Sequence, residues 1–117
     1  MKAKIVPVLL AVCPRVYLQG TAPAMVARPY ITYYKIAGQS INYVDDAIPE
    51  TRNGAMQVCV WSERQMEADA MIQQVEDAIR TAKTIQGRPL ADAIDAPYEP
   101  DTKLCGSIQR FDIWASR

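Results

Sequence analysis

Ala68, Met71, Ile72, Val75, Ala78, Ile79 and Ala82 recur at i, i+3, i+4 and i+7, while Glu67, Asp69, Gln73, Gln74, Glu76, Asp77 and Arg80 take the remaining positions. That period predicts a long amphipathic helix along one face of a sheet. Ser62 with Gln65 three positions on has the form of a capping box, each side chain satisfying the other's orphan backbone N–H. The helix is expected to close near Gly87, with Pro89 beyond it. Before it, Ala55 to Trp61 alternates Met56, Val58 and Val60 against Gln57, Cys59 and Trp61, the period of a strand with one apolar face and one mixed face. Pro29 to Ala37, dense in Tyr, Ile and Thr, reads as a partner strand. Leu90 to Tyr98 and Leu104 to Trp114 read as two more, joined across the turn Glu99-Pro100-Asp101-Thr102-Lys103. At the N-terminus, Ile5, Val8, Leu9 and Val12 share one helical face, with Pro7 expected in the first turn. The predicted fold is α+β: an antiparallel four-stranded sheet with two helices packed on one face, in the order helix-strand-strand-helix-strand-strand, as a single domain over residues 1–117.

Between the first two strands, Gly38 to Asn53 is polar, carries Asp45, Asp46 and Glu50, and contains Pro49. It is expected to be a long, mobile connection. Its acids could bind a hard cation, but no Gly-centred alternating ligand loop accompanies them, which favours a polar loop tip.

Composition removes several classes of function. The 13 basic residues balance the 13 acidic ones, so no long-range field pulls on a polyanion, and nucleic acid is a poor partner. The chain has no histidine, which excludes Ser-His and Cys-His catalysis and makes a conventional zinc site improbable. Cys13, Cys59 and Cys105 are odd in number, far apart and form no C-x-x-C pair, so reduced and mostly buried thiols are expected.

Two motifs carry rival readings. Lys2 and Lys4 precede an apolar run ending in Leu10-Ala11-Val12-Cys13, which has the outline of a bacterial lipoprotein cleavage box. Val12 stands where a small residue is wanted, and a short core helix is the favoured alternative. Asp101-Thr102-Lys103, with Asp92, Asp95 and Glu99 nearby, is half of a Mg-dependent nuclease signature. It lies in a tight turn behind Pro100 with no upstream partner motif, so a solvated turn is the favoured reading. The aromatic residues are more telling: six Tyr and two Trp stand against one Phe, so nearly every large ring carries a polar handle. Such rings suit a surface that is wet before assembly and dry after it. Tyr30 and Tyr34 share one strand face while Tyr33 points the other way with Ile31, and the sheet face away from the helices is the expected interface.

The chain resembles the tail completion, or tail terminator, proteins of long-tailed bacteriophages. The resemblance rests on an N-terminal helix, Arg15-Val16-Tyr17, Pro29-Tyr30-Ile31, the Val58 to Trp61 strand, an Ala-rich helix, the turn Tyr98, Glu99, Asp101 and Thr102, and a last strand with Phe111 and Trp114. The chain departs from the pattern at Lys103, where Gly is often found, and in its apolar first helix. The resemblance implies a non-enzymatic structural protein without cofactor or metal that forms a sixfold ring on the tail tube, stops its growth and faces the head connector. Its partners would be copies of itself, the tube protein and the connector, with neither nucleic acid nor membrane, first in the host cytoplasm and then in the virion tail. The interface residues expected from this reading are Tyr30, Tyr34, Asp45, Asp46, Glu50, Tyr98, Glu99 and Asp101. A head-completion protein of the neck is the nearest alternative.

Overall fold

The computed structural model describes residues 2–23, 26–100 and 103–116, and of Glu99 only the backbone. In chain order the elements are α1 (Lys2–Leu10), β1 (Val16–Leu18), β2 (Tyr30–Ala37), β3 (Thr51–Ser62), α2 (Gln65–Thr81), β4 (Ile85–Pro89), β5 (Ile94–Glu99) and β6 (Leu104–Ser116). The six strands form one mixed sheet in the order β1-β2-β3-β6-β4, with β5 on the remaining half of the β6 edge. The expected four-stranded antiparallel sheet is therefore corrected on two counts: β1 and β4 are additional strands, and β1 runs parallel to β2.

Both added strands are held by segments distant in sequence. Arg15 Nε donates to Pro29 O at 2.8 Å, and Ile31 N donates to Arg15 O at 2.9 Å. These bonds dock the Arg15-Val16-Tyr17 segment beside Pro29-Tyr30-Ile31, with Val16 opposite Ile31 and Tyr17 opposite Thr32. At the other side of the sheet, α2 stops at Thr81, and Ala82 is already extended at φ −65° and ψ 134°. The chain turns back and lays Ile85–Pro89 along Ala115–Phe111 of β6. Gly87, expected at a helix end, is instead a strand residue under α2: a Cβ there would overlap Cγ2 of Ile79. Pro89 ends this edge strand, a position where its missing N–H removes no central ladder bond.

Other boundaries move as well. Pro7 lies inside α1 and not in its first turn, on the exposed side of the helix. The capping box does not form. Arg64 is the N-cap, while Ser62 Oγ accepts from Arg64 N at 3.2 Å and donates to Glu67 Oε1 at 2.8 Å. The Gln65 amide turns to the sheet, donating to Asp69 Oδ1 at 2.8 Å and to Gly106 O at 3.0 Å. Lys103 adopts φ +57°, the left-handed conformation that glycine takes without steric cost.

The core lies between the helices and one face of the sheet. Ile31 and Tyr33 of β2, Met56, Val58 and Val60 of β3, and Phe111, Ile113 and Ala115 of β6 meet Ala68, Ile72, Val75 and Ile79 of α2. Ile5 and Leu9 of α1 and the thiol of Cys13 complete it. Each larger side chain so buried stabilises the fold by about 1.5–3 kcal/mol. Cleavage before Cys13 would strip Ile5 and Leu9, both fully buried, from this core, which weighs against the lipoprotein reading. β3 and β6 pair from Thr51 with Ser116 to Ser62 with Cys105, a ribbon of about 40 Å in a molecule with extents of 54 × 25 × 22 Å.

Candidate functional site

Alternation sends every second side chain of these strands to the face turned away from both helices. Register places Tyr17, Tyr30, Thr32 and Tyr34, then Trp61, Cys59 and Gln57, then Ile108, Arg110, Asp112 and Trp114 across that face. The rings of Tyr17 and Tyr30 meet edge to face, with centroids 6.3 Å apart at 74°. Trp61 Nε1 donates to Thr32 Oγ1 at 3.1 Å, and the ring lies over Gly106, where a Cβ would come within 2.9 Å of it. No glycine substitute fits under this indole without moving it. The rings cover the small residues between them, so Thr32 and Cys59 are buried although no helix lies above them. Burial pushes the Cys59 thiol up, against weaker opposing hydrogen bonds from Gln57 and Thr32. A thiol held protonated in this way is a packing group and a poor nucleophile.

A polar chain crosses the same face. Arg88 Nε of β4 lies 3.5 Å from Asp112 Oδ2, Asp112 Oδ1 accepts from Asn53 Nδ2 at 2.7 Å, and Asn53 Oδ1 accepts from Gln39 N at 3.0 Å. Asn53 Nδ2 also donates to Ile113 O at 3.2 Å. Buried Asn53 thus fastens the root of the 38–50 loop to the central strands. Beyond that root the loop is exposed, and its tip is a turn in which Asp46 N donates to Tyr43 O and Ala47 N to Asp45 Oδ1, both at 3.1 Å.

The expected interface residues separate into three places. Tyr30 and Tyr34 lie half-buried on the helix-free face, and Tyr33 is buried with Ile31 on the other. Asp45, Asp46 and Glu50 lie in the exposed loop beyond the C-terminal end of β2. Tyr98 is exposed near the far end of β5, beside the start of β6. Glu99 pairs through its backbone with Leu104, and Asp101 lies outside the described residues. Loop acids and the Tyr98 turn are therefore at opposite ends of the β3–β6 ribbon.

Sequence reasoning missed Asn53, Arg88, Asp112 and Trp114 as members of this surface. The period-2 alternation through Phe111-Asp112-Ile113-Trp114 carried the signal for two of them, since Phe111 and Ile113 belong to the core. It also assigned Asp69 and Glu76 to solvent. Ser107 Oγ donates to Asp69 Oδ1 at 2.6 Å, and Gln109 Nε2 donates to Glu76 Oε1 at 2.8 Å, so these carboxylates tie α2 to β6. The bonds from Ser107 and then Gln65 lower the Asp69 pKa, and those from Gln109 first, with Arg80, lower that of Glu76. Among the described residues no group of three Cys, Asp or Glu is arranged to hold a metal, and no helix is long and apolar enough to cross a membrane.

Residues 4–116, which take in nearly all of α1 and every later element, match the family described as Tail completion protein gp17. The chain belongs to the tail completion protein family. That membership makes it a structural protein of phage tail assembly. No curated protein matches the sequence. A chain in the solved virion of a native gene transfer agent (GTA) particle has the same fold, with a TM-score of 0.57 over 98% of this chain and 91% of that one, at 13% identity. Family and fold together account for the quoted motifs: the Arg15 and Pro29 segments meet in the parallel β1–β2 pair, and the Val58–Trp61 and Phe111–Trp114 segments lie in the neighbouring central strands β3 and β6.

Proposed function

We propose that this protein ends growth of the phage tail tube by closing it with a ring of identical copies, and that the ring offers the surface on which the head connector docks. The observation that carries this reading is the family match over residues 4–116. The helix-free face supports it: rings with polar handles, small residues beneath them and charged groups at the margin are the composition of a surface that exchanges water for protein. A ring needs heterologous contacts, in which one patch of each copy fits a different patch of the next. Copies remain monomeric or weakly associated in the host cytoplasm until a tube tip is present, and ordering of the loop on docking strengthens the contact.

Electron microscopy of particles made without this reading frame tests the proposal. Overlong tubes lacking heads support it. Tails of normal length beside empty or leaking heads move the protein to the head side of the joint, and unchanged virions overturn the structural role.

A further inference from the structure

The tip of the 38–50 loop exposes apolar side chains beside unpaired acids. Val44 is 106% exposed, Ile48 76% and Tyr43 50%, and Asp45, Asp46 and Glu50 flank them. The ion pairs among the described residues are Arg28–Glu63, Arg80–Glu76 and Arg88–Asp112, so none involves a tip acid. A tip of this kind lacks both a cover for its aliphatic groups and a counter-charge.

Both are present elsewhere on the molecule. A cleft of about 520 Å³ wraps the β4 edge, lined by Arg80, Ala82, Ile85, Arg88 and Trp114. It adjoins a second cleft of about 220 Å³ that shares Ile85 and Trp114 and adds Lys83. Arg80 keeps an exposed side chain beside Glu76, as does Arg88 beside Asp112, which also lines the cleft. Lys83 has no acidic partner among the described residues, nor has Arg110, which lies outside both linings two residues along β6 and donates to Gln57. The surplus positive charge and the half-buried indole complement an acidic tip led by Val44. No residue between Tyr43 and Ile48 lines either cleft, so one copy does not fill its own.

We propose that the loop tip of one copy seats in the β4-edge cleft of the next, Val44 and Ile48 against Trp114 and Ala82, with Asp45, Asp46 and Glu50 facing Lys83, Arg88 and Arg110. This inference rests on the ring reading and names its contact. The loop leaves from the β2–β3 side of the sheet and the cleft flanks β4 beyond β6, at the same end of the ribbon, where Thr51 borders the second cleft. Two different patches meet, so pairing them between copies is head-to-tail and repeatable. The chain Arg88–Asp112–Asn53–Gln39 holds both halves of the contact on one strand pair, so each copy carries them at a fixed spacing. β4 is a sheet edge, and its outward backbone groups are open to the arriving loop.

The test is complementation of a strain lacking this reading frame, scored as particles with heads attached. Three chains are compared with wild type: Asp45→Lys with Asp46→Lys, Lys83→Glu with Arg88→Glu, and all four together. Each reversal alone is expected to lower particle yield at least about tenfold, and the fourfold chain to regain most of it, because opposed charges are again face to face. In purified particles Val44→Cys with Gln86→Cys is expected to give disulfide-linked multimers that neither single variant gives, a readout independent of how the reversed chains fold. Wild-type yield from both reversals, or a fourfold chain no better than its parents together with no linked multimers, overturns the inference and leaves the ring reading standing. If the wild-type chain itself does not restore tube length and head attachment, the ring reading falls and this contact falls with it.

Discussion

Under the helices, Met56, Val58, Val60, Phe111 and Ile113 are fully buried among apolar neighbours. On the reverse of the same strands, Tyr30, Tyr34, Trp61 and Trp114 are half-buried, and within that face Trp61 is bonded to Thr32 and Asn53 to Asp112. The first face is stabilised by area removed from water, a non-directional effect that rewards any apolar residue of suitable size. The second is held by pairwise contacts between groups that also tolerate water, so it is stable uncovered and can be covered again. A sheet built in this way divides its strands: one side is committed to the core, and the other has no element of this chain packed over it among the described residues.

Substituting across the two faces would break that comparison most sharply. Phe111→Ala should cost about 3–5 kcal/mol through lost transfer energy and the cavity left behind. Tyr34→Ala on the helix-free face should cost about 1 kcal/mol or less. Denaturant unfolding checks both, and similar losses would mean that the reverse face is a second core. Next in size is Asn53→Ala, which leaves the Gln39 N–H and the Asp112 carboxylate short of a partner and should cost about 1–3 kcal/mol. Hydrogen exchange should show the loss as faster exchange at Gln39 and in the loop root, with protection of Val58 and Phe111 kept.

Lys103→Gly should act in the opposite direction. It relieves a left-handed residue at φ +57° and gives back part of the gain as chain entropy, for a net stabilisation of about 0.5–1 kcal/mol in thermal unfolding. The smallest effect concerns pH. Asp69 and Glu76 have folded-state pKa values below their ordinary ones, so their contribution is fully present above the ordinary carboxylate range. It is lost as pH falls from about 4.5 through the folded-state values. Stability should be flat from about pH 7 to 5 and then decline, and Ser107→Ala, which removes the 2.6 Å hydrogen bond to Asp69, should shrink that decline.

Much of the architecture was legible wherever an element was long enough to show its period. The α2 stripe, the β3 alternation and the β6 strand all follow from spacing, as does the placement of Tyr30 and Tyr34 opposite Tyr33. β1, with three residues, and β4, with five including Gly87 and Pro89, offer too few positions for a period to appear. Both depend on neighbours distant in sequence: Pro29 for β1, and the Ala115–Phe111 stretch of β6 for β4. Gln65 illustrates the same limit at a single residue. Its spacing from Ser62 suits a local cap, yet its amide bonds Gly106 and Asp69 once β6 lies beside the helix.

From the chain alone came the choice of what to bury, the absence of histidine chemistry, the neutral charge balance and the ordered motifs of a tail completion protein, because these depend on residue identity and local spacing. Tertiary structure alone decided that the sheet has six strands, that Asn53 and Asp112 join the loop root to the β4 edge, and that Lys83, Arg88 and Trp114 gather along that edge. Those outcomes turn on which distant segments become neighbours, and register between strands is set by the summed packing of a whole face, which no local stretch of sequence contains.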